Sequence, residues 1–337
     1  MDNLTHSLTA LALSQAGLNR KTRFATLTLI AGANLPDIDL VATFSGGATY
    51  LKYHRGITHS ILGAAILATA LGALVYFLGR KAPPAKKSGP PLDLRWLIGI
   101  SWIAVASHVL MDFTNSYGIR PFLPFSGRWY AWDIMPIIDI LLWALLILGL
   151  ALPPLFRLIS EEVGAAKTKP RGGAIFALCS MLVLWGARDL AHRRVIGFLD
   201  SHVYGQENPV KLGAFPSSVN PFSWNGVVET DTAFYLLPAS ALDSDVDAEH
   251  ATVLHKPDPS PALAAASKTR TCQIFLDFAR FPWPNIDDTD NGFFVSIQDL
   301  RFASSSNQRR GFVVEIELDK NLSVLSESFS FLAKSRP

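Results

Sequence analysis

The sequence predicts an α-helical polytopic membrane domain followed by a mainly β soluble domain. Three observations carry this. Charged residues make up only 17% of the 337 residues while hydrophobic ones make up 49%, where a soluble domain carries about 25% charged. Mean hydropathy is +0.25. The apolar residues are gathered into long uninterrupted runs before residue 195, and beyond about Ser201 the chain turns polar, with prolines, serines and acidic turns.

In chain order, the first two apolar segments lie near 4–18 and 22–35. Each is short for a full crossing and is expected to tuck among longer helices. Four longer runs follow at 57–78, 96–113, 134–156 and 174–190, each enough for a hydrocarbon core of about 30 Å. Small residues at Gly63–Ala65 and Ala68–Ala73 mark a face where helix backbones pack closely. Stretch 82–91, with its prolines and lysines, reads as a loop between spans. After residue 200, β-rich runs at 227–237, 271–281, 293–302 and 312–318 predict strands. The expected domains are therefore 1–195, transmembrane, and 200–337, mainly β. Met1-Asp2-Asn3 lacks the basic region of a cleavable signal, so the first apolar segment is expected to stay. Cys179 and Cys272 form no spacing motif, which argues against a disulfide or a thiolate metal site. A net charge of +2 without a basic, aromatic-interleaved stripe excludes nucleic acid as the expected partner.

Basic residues set the expected orientation. If six segments cross, one set of connections carries twelve Lys and Arg: Arg20, Lys21, Arg23; Arg80, Lys81, Lys86, Lys87, Arg95; Arg157, Lys167, Lys169, Arg171. The other carries six: Lys52, Arg55, Arg120, Arg128, Arg193 and Arg194. The positive-inside rule makes the richer side cytoplasmic and puts both termini and the β domain outside.

On that outer side the chemistry collects. Asp2 and His6 are four apart, as are His108 and Asp112, so each pair shares a helix face. Asp37 and Asp39 end the second segment, His54, Arg55 and His59 open the third, and Asp133 opens the fifth. Neutral imidazole and carboxylate together suit zinc, manganese or iron, and polar groups beside lipid need a partner or a cavity. Metal ligands are expected among His6, Asp37, Asp39, His54, His59, His108 and Asp112, holding one or two divalent ions, zinc first. Arg55 is expected to steady an anion, with Asp2 or Asp133 moving a proton. The plainer readings are a helix cap for Asp133 and a turn for Asp37–Asp39. Asp139 lies deeper and is expected either to function or to pair with a neighbouring helix. His192, His202, His250 and His255 lack ligand spacing and read as surface residues, and the acidic stretches 243–247 and 287–292 read as solvated turns. Trp129, Tyr130 and Trp132 read as an interfacial aromatic belt.

Four motifs, Met1-Asp2-Asn3-Leu4-Thr5-His6, Leu35-Pro36-Asp37-Ile38-Asp39, His54-Arg55-Gly56-Ile57-Thr58-His59-Ser60 and Ser107-His108-Val109-Leu110-Met111-Asp112 followed by Tyr117-Gly118, resemble the YdjM/YbcI-like family over about residues 1–160. The family comprises bacterial inner-membrane proteins described as metal-dependent hydrolases. The resemblance implies the same seven metal-site residues and an inner-membrane location, and it supplies no substrate. The expected function is a metal-dependent hydrolase at the outer membrane–water interface, acting on a phosphoester or lipid-linked substrate, with membrane lipid or an amphipathic small molecule as partner. The competing class is a metal-binding transporter or structural membrane factor. In a third reading the β domain acts and the membrane half anchors it.

Overall fold

A computed structural model describes residues 1–83, 89–163, 171–303 and 310–332. Lys86, Lys87, Lys167 and Lys169, counted above for orientation, lie outside the described residues. The chain divides into two compact units, one of residues 1–39 and 55–189, the other of 40–54 and 190–337.

The first unit is helical. Its elements are α1 (Asn3–Gln15), α2 (Ala25–Asn34), which runs on into a 3₁₀ segment (Leu35–Ser45), then α4 (Ile61–Gly79), α5 (Leu94–Phe113), α6 (Ile140–Val163) and the start of α7 (Arg171–Asp200). Four described helical stretches are long and apolar enough to cross a bilayer: Ala25–Ser45, Ile61–Gly79, Leu94–Phe113 and Arg171–Asp200. The protein is a membrane protein. One difference from the sequence reading concerns 134–156. Its helix begins only at Ile140, because Pro136 precedes it and Asp139 Oδ1 accepts the Leu142 N–H at 2.7 Å, an N-terminal cap that stops the helix extending backward. Conversely, the short second segment lengthens into a 21-residue stretch through its 3₁₀ extension.

Close backbone packing follows the small residues. A Cβ at Gly72 would stand 2.7 Å from Ile98 Cα, so glycine lets α4 lie against α5. Two of the basic connections meet at one end of this unit: Thr22 Oγ1 donates to Pro91 O at 3.1 Å, and Arg23 Nη1 donates to Pro83 O at 2.6 Å. At the other end, segment 114–135 folds back on itself, with bridges Asn115–Met135 and Ile119–Tyr130.

The second unit is built on two antiparallel meanders, as the mainly β expectation requires. The first runs β1 (Lys211–Pro216), β2 (Ser223–Glu229), β3 (Ala233–Ser240), β4 (Thr252–His255), and the second β5 (Pro282–Thr289), β6 (Gly292–Asp299), β7 (Arg310–Asp319), β8 (Val324–Leu332). Strand β3 is buried on both faces. Ala233, Tyr235, Leu237 and Ala239 join a core with Trp224, Tyr204 and the α7 residues Val195 and Leu199. Phe234 and Leu236 join another with Phe215, Val227, Phe281 and Leu300. This is the period-two alternation of a strand. Residues 40–54 also belong to this unit, through α3 (Gly47–Tyr53), which packs on β8 and on α9 (Arg270–Phe278).

The run 271–281, expected as a strand, is α9 instead. Thr269 Oγ1 caps the Cys272 N–H, and Thr271, Cys272, Phe275 and Phe278 are buried, a helical spacing that the aromatic content masks in the sequence. Short α8 (Pro261–Ala266) precedes it, capped by Ser260 with proline in its first turn. The acidic stretch 287–292 forms the β5–β6 hairpin turn, while Asp245 and Asp247 sit at the surface, each 2.8 Å from a ring nitrogen of His202 and His250 respectively.

Both cysteines are free thiols. Burial pushes the Cys272 thiol up to about 11, with Glu327 adding to the shift. A Cys179→Ser protein should therefore show no thiol reactive toward a disulfide reagent at pH 8 until it is denatured, and then one. Rapid reaction in the native state would contradict the buried α9 packing.

Candidate metal centre

Four ligand atoms from three stretches of the helical unit meet at one point. Asp37 sits in the 3₁₀ extension of α2, His59 in a 3₁₀ turn (Ile57–His59) just before α4, and His108 and Asp112 one turn apart near the end of α5. One ligand atom from each lies within 4.8 Å of the other three. His59 Nε2 is 3.0 Å from His108 Nε2, and Asp112 Oδ2 is 3.2 and 3.4 Å from these two nitrogens. Asp37 Oδ1 is 3.6 Å from both. Bonds of about 2.1 Å in a tetrahedral site place neighbouring ligands roughly 3.4 Å apart, so the spacing fits a small divalent cation.

Hydrogen bonding behind the rings fixes which nitrogens face inward. His108 Nδ1 lies 2.7 Å from Ala33 O, and a carbonyl only accepts, so Nδ1 carries the proton. Thr58 Oγ1 donates its proton to Asp39 Oδ2 at 2.7 Å, so its 3.0 Å contact with His59 Nδ1 has the ring as donor. In the neutral rings both Nε2 atoms then present lone pairs to each other. Such a pairing is repulsive unless a cation lies between, and this is how metal-binding histidines are oriented from behind. A metal therefore fits the donor set.

The local chain geometry follows from its sequence. A Cβ at Gly63 would meet Ile57 O at 1.8 Å. Only glycine lets the first turn of α4 close over the 3₁₀ turn that carries His59. Ser60 caps α4 through the Gly63 N–H.

The remaining expected residues take varied places. His6 is fully buried, stacks on His108 at 3.9 Å between ring centroids, and has Nε2 3.3 Å from Asp112 Oδ1, yet neither of its nitrogens makes a hydrogen bond. Asp39 stands behind His59, accepting from Thr58 and from the Arg55 N–H at 2.9 Å. Arg55, with φ +53°, donates to Asp112 Oδ1 at 3.0 Å and Asn115 Oδ1 at 2.8 Å. The nitrogen of Met1 also contacts Asp112 Oδ1. Asp2 caps α1, accepting from the Leu4 and Thr5 N–H groups and the Thr5 hydroxyl. Asp133, buried with φ +61°, lies in the segment whose next residue, Ile134, donates to Thr114 O. His54 ends α3, stacks on Tyr50 at 4.7 Å and belongs to the second unit.

Sequence reasoning did not single out Asn115, Thr58 or the Ala33 carbonyl, whose work is to hold other groups. It also passed over Arg188, which answers the question left by Asp139: the two form a buried pair at 2.5 Å. An arginine in the last apolar run was the available signal.

Two outcomes test this geometry. Asp39→Ala should weaken metal binding about 10- to 100-fold, as loss of a group behind a ligand does, measured by competition with a chromophoric chelator. Arg188→Gln should lower stability by about 3–5 kcal/mol by stranding a buried carboxylate, and adding Asp139→Asn should restore part of it in thermal unfolding.

The fold and the site can be set beside known proteins. "Uncharacterized protein YfhP" of Bacillus subtilis (strain 168) is 30% identical over 150 residues, covering 41% of this chain. The match spans 42% of that protein's own length. The YfhP C-terminal alpha/beta plait domain matches residues 261–336, and no solved structure matches. The profile of the YdjM inner membrane protein family matches residues 1–195, more than half of the sequence and every member of the four-ligand group, and the chain belongs to that family.

Proposed function

We propose that the protein is a membrane-embedded metal-dependent hydrolase acting on a phosphoester at the membrane–water interface. The observation that carries this reading is the pair of imidazole Nε2 atoms turned toward each other at 3.0 Å with two carboxylates around them. Asp37, His59, His108 and Asp112 hold the ion, with zinc the first expectation and manganese or iron the alternatives. His6, beside the second oxygen of Asp112, extends the set toward a second ion. A divalent ion bound here supplies Lewis-acid polarisation of an ester oxygen and makes water a better nucleophile. The protein's own groups do the rest. Arg55 fixes Asp112 and places a positive charge where an anionic substrate gathers charge. Hydrolysis forms one bond from water oxygen to phosphorus and breaks the bond to the alcohol. One water proton leaves with the alcohol, and the other reaches solvent through Asp37, the most exposed of the four at 9%. Asp2, committed to capping, is not assigned the proton transfer; Asp133 remains the second acid for it.

Confinement of the ligands to one end of the helices favours hydrolysis over transport, because Asp139, expected deeper in its span, instead caps the start of α6 and is neutralised by Arg188. We place the ligand end and the second unit outside the cytoplasm of a bacterial inner membrane, on the strength of the basic connections at the opposite end.

Elemental analysis of the purified protein should find one or two divalent ions per chain, and His59→Ala/Asp112→Ala should lose them together with hydrolysis of an aryl phosphodiester. Metal content unchanged in that double variant would end the hydrolase reading, and metal without turnover across phosphoester substrates would favour the structural class. Alkaline phosphatase fused after Leu332 should be active in cells and fused after Lys81 inactive; the reverse pattern overturns the orientation.

A further inference from the structure

A groove of about 480 Å³ runs along the helical unit, lined by α4, α5 and the returning segment near Tyr130. Its volume falls in the ~300–1,000 Å³ range of small-molecule sites. On α5 its wall is a stripe from Trp102 to Phe113 through Val105, Ala106, Val109 and Leu110, the three-and-four spacing of one helix face. Opposite stand Ala64, Ala65 and Ala68 of α4, whose small side chains leave the space. Both helices are candidate spans, so bilayer lipid surrounds them.

Length and charge say which lipid element suits it. From Trp102 to Phe113 the stripe rises about 16 Å at 1.5 Å per residue, close to half the ~30 Å hydrocarbon thickness. That is the depth of one leaflet, and so of one acyl chain. At the Phe113 end, Tyr130 lines the groove, and the exposed guanidinium of Arg128 lies over its ring at 5.4 Å from the centroid. Trp129 and Tyr130 adjoin in the segment there, the residue types that settle at headgroup level, and Phe125 of the same segment is 88% exposed. A cation stands where the headgroup of a chain lying in the groove would emerge. Val105 and Val109 also share their helix face with Asp112, at i, i+4 and i+7, so this end of the groove lies on the turns of α5 that carry the metal ligands.

We infer that the groove between α4 and α5 binds one acyl chain of an anionic phospholipid, with its phosphate held at Arg128. Treating that lipid as the substrate rests on the hydrolase reading above; its binding does not.

The test uses the full chain reconstituted in phosphatidylcholine vesicles doped with phosphatidylglycerol brominated on its acyl chain. The signal is the part of tryptophan quenching that disappears in Trp102→Phe. Trp102, positioned by its Nε1–H to Thr69 Oγ1 at 3.2 Å, should be quenched saturably, at about fivefold lower mole fraction than with brominated phosphatidylcholine, as expected for one arginine near an anionic headgroup. Arg128→Gln should abolish that preference, and Ala65→Phe/Ala106→Phe should reduce the Trp102 quenching to the collisional level. Quenching linear in mole fraction and equal for both lipids overturns the proposal. So does disulfide-linked dimer formed in the membrane by Ala106→Cys in a Cys179→Ser background, which would give the groove to a second copy. Metal analysis of the unmutated protein separates the two readings: saturable quenching in a protein that holds no metal leaves the groove and removes the hydrolase, and bound metal with only collisional quenching does the opposite.

Discussion

Two histidine rings whose unprotonated nitrogens point at the same spot are the most demanding contact in the helical unit. Their backs are committed, one to a main-chain carbonyl and one to the Thr58–Asp39 pair. Neither ring can turn to relieve the repulsion without stranding a buried polar group, which costs about 1–3 kcal/mol. The arrangement is favourable around positive charge and unfavourable otherwise. Arg55 and the Met1 nitrogen answer only the far oxygen of Asp112, so the demand at the ring nitrogens is one that a divalent ion meets.

The rest of the helical unit is arranged to deliver those groups together. Three chain stretches reach the site from different helix ends, and this requires α2, α4 and α5 to pack closely enough for their termini to coincide. Glycines at the α4–α5 contact and at the first turn of α4 make that approach possible. In lipid the close contact of small residues replaces the hydrophobic drive available in water. Alanines of the same helix, Ala64, Ala65 and Ala68, leave the groove beside Trp102, so glycine gives tight packing at one face of α4 and alanine open space at the next.

Much of this was legible in the sequence, for reasons that differ by residue. His108 and Asp112 are four apart on an apolar helix, and helix geometry alone puts them on one face. Asp37 and His59 bracket a break between apolar runs, so alternating helix directions bring them to the same end. What escaped were groups with no distinctive chemistry of their own: a backbone carbonyl at Ala33, an amide at Asn115, a hydroxyl at Thr58. The α9 helix escaped because phenylalanines and threonines raise strand propensity while burial at Cys272, Phe275 and Phe278 follows the helical turn. Nor could spacing reveal that residues 40–54, flanked by Asp39 and Arg55, would pack with α9 and β8 in the second unit.

Helix α7 has a practical consequence for dissecting the molecule. Its 30 residues rise about 45 Å, and its last turns supply Val195 and Leu199 to the core that contains Trp224 and Tyr235. A fragment of the β unit begun at residue 200, where composition changes, would leave an apolar hole and an uncovered sheet face. One begun near Leu190 would carry its own missing wall, although it would still lack α3, which reaches the unit from far upstream. The boundary visible in composition is therefore not where the chain can be cut.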